Sequence, residues 1–203
     1  MSYSKFTSLA KFCQQYNLKQ NSTSRLFVGK DIEPCPPSKR LEEDLEEAKM
    51  LPLYTEKAKS ELVITPLLKE VKRNNPFITF FSGFALNINE ELSGNPDYVL
   101  SAKPDIIEIQ APIFCLFESK NKAPEEGFGQ CAAEMYASRL FNQENKEPYL
   151  QIYGAVTNAY DWVFMKLDAD TIFIDTERYF LNDLPTLLGV MQYIINQYKP
   201  NFT

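Results

Sequence analysis

Asp97, Glu118 and Lys120 are the residues of this chain whose types and spacing carry the most chemistry. Asp97 directly follows Pro96, and further on Glu118 and Lys120 close the apolar run Ile113–Phe117. That run reads as a strand covered on both faces. Side chains alternate along a strand, so Glu118 and Lys120 share a face. An acid and a base side by side at the end of a core strand are costly to bury unless each finds a partner. The placement points to a site at the carboxyl edge of a sheet. The chain has no histidine, which excludes a Ser-His-Asp triad, a Cys-His pair, a His-ligated metal and a histidine general base. Carboxylate, lysine, tyrosine and cysteine chemistry remain. A metal site built from Asp and Glu oxygens suits hard cations such as Mg²⁺ or Mn²⁺.

The elements that must position these groups can be read from the hydrophobic pattern. Glu56 to Arg73 reads as a helix with a stripe of Leu62, Ile64, Leu67, Leu68 and Val71, kinked or restarted at Pro66. Phe77 to Ile88 reads as a strand with Gly83 as a bulge. Ser93-Gly94-Asn95-Pro96 is a turn, and Asp97 to Ala102 and Ile113 to Lys120 are strands. A helix over Glu125–Asn142 follows, entered through Gly127 and Gly129. Tyr149–Thr157 and Asp161–Leu167 are strands about the turn Asn158-Ala159-Tyr160, Thr171–Asp175 is a short strand, and Phe180–Gln197 is an amphipathic helix. Before this core, residues 1–50 read as a helical extension. It has one short helix over Ser8–Tyr16, a break at Pro34, Pro36 and Pro37, and a solvated acidic helix over Leu41–Met50.

With 203 residues and a composition of 44% hydrophobic and 24% charged, the chain is an ordinary globular one with room for one well-buried domain over 51–203. No apolar run approaches a membrane span, and Met1–Leu18 lacks a signal-peptide core, so a cytoplasmic protein is expected. Cys13, Cys35, Cys115 and Cys131 show no C-x-x-C spacing and are expected to be free thiols. The net charge of −6 opposes extensive non-specific binding to phosphates. Basic residues nevertheless cluster locally at Lys57, Lys59, Lys69, Lys72 and Arg73.

Pro96-Asp97 followed by Glu118-Ser119-Lys120 resembles the hallmark of the PD-(D/E)XK nuclease superfamily. The likeness runs from about Glu56 to Asp168. It includes the Gly94-Asn95-Pro96-Asp97-Tyr98 segment, the Gly129-Gln130 helix start and the Tyr153-Gly154-Ala155-Val156-Thr157-Asn158 strand, a phrasing similar to that of bacterial members. The resemblance implies an α/β fold with a restriction-endonuclease-like core, a central mixed sheet flanked by helices, here with the N-terminal helical extension. It implies a nuclease that hydrolyses phosphodiester bonds of nucleic acid, with DNA the expected polymer and Mg²⁺ or Mn²⁺ as cofactor. Many double-strand cutters of this fold are homodimers. Asp97 and Glu118 would be metal ligands, and Lys120 would orient the attacking water and stabilise charge on the phosphate. Glu61 would be an extra ligand from the first helix, with Glu56 and Glu70 competing for that role. Gln130 would help position the site. Members with such a Gln often carry Tyr four residues on, where this chain has Glu134, its nearest tyrosine being Tyr136.

Other readings stay open beside this one. Asp97 as a turn cap, with Glu118 and Lys120 as a solvated ion pair, describes a catalytically silent domain that binds a protein or nucleic acid. An accidental likeness would leave the three groups far apart in the fold. The backbone of Gly127-Phe128-Gly129 could approach a phosphate at a helix start, but no Walker-type Lys-Ser/Thr follows it. Tyr98, Tyr153, Tyr160 and Trp162 read as core or hairpin packing rather than base-stacking platforms.

Overall fold

The computed structural model describes residues 3–30, 32–147 and 151–199. Hydroxyl caps start the first helices. Ser8 accepts from the Lys11 N–H and opens α1 (Leu9–Gln15). After a short strand, β1 (Lys19–Asn21), Ser38 caps α2 (Lys39–Lys49) through the Leu41 N–H. Thr55 caps α3 (Glu56–Lys59) through the Ala58 N–H. Each cap satisfies a donor that a helix start leaves unpaired, worth about 1 kcal/mol. α3 continues through a π-helical turn, Ser60–Ile64, into α4 (Thr65–Asn74). The wide turn is the chain's response to Pro66, which has no N–H for the ladder and whose ring crowds the preceding turn. Thr65 N–H reaches back to the Ser60 carbonyl instead.

Strands β2 (Thr79–Ser82), β3 (Leu86–Asn87), β4 (Ser93–Gly94), β5 (Tyr98–Ser101) and β6 (Ile113–Ser119) follow. A 3₁₀ turn, Pro124–Gly127, leads into the long helix α5 (Phe128–Glu144). The chain then forms β7 (Gln151–Thr157), β8 (Asp161–Asp168), β9 (Thr171–Ile174), β10 (Tyr179–Phe180) and α6 (Leu184–Asn196). Among the described residues an eight-stranded sheet runs β1-β9-β8-β7-β6-β5-β2, with β10 beside β8, while β3 and β4 form a separate ribbon. β6 with β7 and β1 with β9 are parallel pairs, and the other neighbours are antiparallel.

The protein is therefore α/β, with a large mixed sheet between two helical layers. Leu41, Leu67, Phe117 and Leu187 belong to the core under α2, α4 and α6. Phe12, Leu116, Met135 and Val163 belong to the core under α1 and α5. Every residue of β6 is buried, as its unbroken apolar run requires, and each large side chain there contributes about 1.5–3 kcal/mol. The described residues from Tyr3 to Met50 are built into both layers: Phe6 and Phe12 pack edge to face at 5.1 Å in the α5 core, Leu41 and Leu45 lie in the opposite one, and β1 adds a strand to the sheet.

Several elements differ from the sequence reading. Gly83, at φ +63, ends β2 rather than bulging a longer strand, and its N–H donates to the Asp97 carbonyl at 2.9 Å. The last helix starts at Leu184, because Tyr179 and Phe180 pair with β8 and a 3₁₀ turn intervenes. The expected strand start at Tyr149 lies outside the described residues. All four cysteines are free thiols. Among the described residues no helix is long and apolar enough to cross a membrane.

Candidate active site

β5 and β6 are antiparallel neighbours with Tyr98 opposite Phe117. That register carries Asp97, one residue before β5, to the end of β6, where its Oδ2 accepts the Ser119 N–H at 2.7 Å. Lys120 lies one residue past β6 and its N–H donates to the Thr157 carbonyl of β7 at 2.8 Å. Its ammonium donates to Glu118 Oε1. Asp97, Glu118 and Lys120 thus converge at one sheet edge. Gln130, in the first turn of α5, accepts from Lys120 Nζ through Oε1 at 3.1 Å.

Gly127 and Gly129, at the start of α5, are required by close approach to protein. A Cβ on Gly127 would sit 2.6 Å from Val156 Cγ1 and 3.1 Å from Lys120 Cε, and one on Gly129 would sit 2.3 Å from the Phe6 carbonyl oxygen.

One member of the cluster was not among the sequence candidates. Glu134 is wholly buried on α5, and its Oε1 accepts from Gln130 Nε2 at 3.1 Å. The signal for it was present: an acid stands inside the otherwise apolar helical run Cys131-Ala132-Ala133-Glu134-Met135, on the buried face. Glu134 lies within hydrogen-bonding reach of Glu118, yet Oε2 of each is buried with no donor. Ser119 Oγ is also buried without a partner among the described residues.

The electrostatics follow from this crowding. Burial, then the charge of Asp97, pushes the Glu118 carboxyl up to about 7, against the pull of Lys120. Burial, then Glu118, holds Glu134 well above the usual carboxylate range. Burial also raises Asp97, opposed by the Ser119 N–H and Lys120. For Lys120, burial works against the charge, but Glu118, Glu56 and Asp97 outweigh it and leave the amine more basic than usual. Adjacent buried carboxylates cannot all ionise without a cation or proton between them, so the cluster favours positive charge.

The acids expected from the first helix separate clearly. Glu70 is buried and holds the start of α2, accepting from Ser38 N–H and Oγ at 2.9 and 2.8 Å and pairing with Arg73. It is no part of the site. Glu61 is exposed, paired with Lys57 at 3.7 Å, and lines a cleft of about 280 Å³ together with Glu56, Asp97 and Ser119. Of these two rim acids, Glu56 is the one that acts on Lys120.

Among the described residues no group of three or more His, Cys, Asp or Glu side chains is arranged to hold a metal ion. The donors nevertheless fit a hard cation. Mg²⁺ is usually held by one or two carboxylates with water completing its shell, and Asp97 and Glu118, the latter with a spare buried oxygen, supply that pair.

The surrounding surface is mixed in charge. Most of the basic residues of the first helix are engaged by neighbours: Lys59 is buried against the Asn121 carbonyl at 2.7 Å, Lys57 and Arg73 are paired with acids, and Lys72 donates to the Pro76 carbonyl. Tyr98, Tyr153 and Trp162 are buried, whereas Tyr160, in the β7–β8 turn, is 47% exposed with Lys59 5.9 Å from its ring centre. Compared with models of known protein families the chain matches none, and it matches no curated protein.

Proposed function

We propose that the sheet is a restriction-endonuclease-like core and that the protein is a divalent-metal-dependent nuclease, with DNA its expected polymer. The observation that carries this reading is the convergence of Asp97, Glu118 and Lys120 at the end of β6. Asp97 and Glu118 would hold Mg²⁺ or Mn²⁺, and Glu56 or Glu61, which share a cleft with Asp97, would add negative charge near it. When bound, the ion polarises the scissile phosphate and lowers the pKa of an attacking water. Lys120 is a fixed ammonium that stabilises negative charge developing on the phosphate, a task for which a preorganised donor in a partly dry site is effective. Two of its three N–H groups are taken by Glu118 and Gln130, and a third is left for the reacting group.

Mn²⁺ titration followed by electron paramagnetic resonance tests the metal assignment. Wild type is expected to bind one ion, and Asp97→Asn and Glu118→Gln each to weaken it by about tenfold or more. Equal affinity in both variants would contradict the assignment. The net charge of −6 favours a second reading, a silent domain of the same fold that binds a partner. That reading expects negligible metal affinity and no cleavage.

A further inference from the structure

A side-chain amide has two ends of similar shape and opposite polarity. If the NH₂ end of Gln130 faced Lys120, two donors would meet. The observed orientation puts Oε1 on the Lys120 ammonium and Nε2 on Glu134 Oε1, each at 3.1 Å. Glu134 is thus the acceptor that selects which end of Gln130 meets the lysine. Its position is an expensive one for an acid. The side chain is wholly buried and one of its oxygens has no donor. Burying a carboxyl with an oxygen that no donor meets costs free energy, so packing alone does not account for it. Its neighbours Cys131, Ala132, Ala133 and Met135 are all buried, so the helix packs without a carboxyl at this point. What an apolar residue cannot do is hold Gln130.

We propose that Glu134 is a positioning residue of the Lys120 site: through Gln130 it fixes where the lysine ammonium stands at the end of β6. The proposal deepens the nuclease reading and rests on it for its catalytic consequence. The role needs only an acceptor oxygen at position 134, so a glutamine there, offering its amide oxygen to Gln130, keeps it, while a leucine abolishes it. Gln130 and Glu134 act in series, so removing both costs no more than removing one.

The test measures position and rate separately in Glu134→Leu, Glu134→Gln, Gln130→Ala and the double variant Gln130→Ala/Glu134→Leu. Position is read from the Lys120 NH₃⁺ cross-peak in a ¹H–¹⁵N spectrum, assigned by its loss in Lys120→Arg. A hydrogen-bonded ammonium exchanges slowly enough to be seen. The peak is expected to broaden or shift in Glu134→Leu and to return in Glu134→Gln. In Mg²⁺ with DNA, Glu134→Leu is expected to lose about 10- to 100-fold in kcat with KM little changed, the scale of a small misplacement of a reacting group. Glu134→Gln should recover to within a few-fold, and the double variant should match the worse single one. Urea unfolding should show Glu134→Leu still folding cooperatively, so that a moved peak reports position in a folded protein. An unmoved ammonium peak in folded Glu134→Leu overturns the proposal, as does multiplicative loss in the double variant. A peak that follows residue 134 in a protein that cleaves nothing supports the positioning role and defeats the nuclease reading alone.

Discussion

Glu118 is the residue whose environment has the most direct consequence for solution behaviour. Its carboxyl is raised to about 7 in the folded protein against 4.5 in the open chain, burial being the main cause. Between these values the folded state holds more protons than the unfolded one, so stability falls as pH rises through that window. In metal-free protein, urea unfolding should therefore show stability declining from pH 4.5 to about 7. Glu134, raised in the same sense, adds to the slope, so Glu118→Gln should flatten it without removing it. A stability that climbs with pH across the window would contradict the account. Protons and metal compete for Glu118, so Mn²⁺ affinity should strengthen up to about pH 7 and then level off. At this scale the sequence was informative. Asp97, Glu118 and Lys120 were legible because a strand's alternation and a charged end to an apolar run are local signals. The apolar run around Glu134 signals its burial, but its place beside Glu118 depends on α5 lying across β6, which no local spacing reveals. Glu61 and Glu70 were indistinguishable as helical acids until packing put Glu70 under α2 and Glu61 on the cleft rim.

The elements show how that cluster is held. α5 and β6 are clamped at the far end of the strand by Asn142, whose Oδ1 accepts the Ile113 N–H and whose Nδ2 donates to the Ile113 carbonyl, each at 2.7 Å. Both backbone groups are buried, so Asn142→Leu should cost about 2–6 kcal/mol, the sum of two unsatisfied groups. Chemical denaturation measures this, and a loss below about 1 kcal/mol would show that the clamp is dispensable. Tyr98 does a similar task at the site end. Its hydroxyl meets Ser60 Oγ at 2.6 Å and Thr65 Oγ1 at 2.8 Å, tying β5 to the π turn that Pro66 imposes. The long elements were readable from periodicity and the kink from proline chemistry. The short strands β1 and β10 were not, because two or three residues carry no period and pair only because a neighbouring edge is available.

For the molecule as a whole, the described residues between Tyr3 and Met50 are part of the packed fold. They fill both helical layers and add a strand to the sheet edge. A protein reduced to residues 51–203 should therefore lose cooperative unfolding, exposing the surfaces that Phe12 and Leu41 now cover. Trp162, the one tryptophan, is fully buried and bonded to the Ala159 carbonyl at 3.1 Å, so its emission is a convenient reporter. A truncated protein with a sharp transition and blue-shifted emission would contradict this. The overall α/β class was legible because strands and helices alternate along the chain. The embedding of the first fifty residues was not, because amphipathic helices announce that they need a partner surface without saying which one.

We propose that Lys120, held beside Asp97 and Glu118, serves phosphodiester hydrolysis. The most direct measurement compares wild type with Lys120→Ala on single- and double-stranded DNA and on RNA, in Mg²⁺ or Mn²⁺, with both proteins shown to be folded. Metal-dependent cleavage by wild type, slowed about 10²- to 10³-fold in the variant, is the predicted result. Equal cleavage by the two proteins, or none by wild type on any polymer, would contradict it.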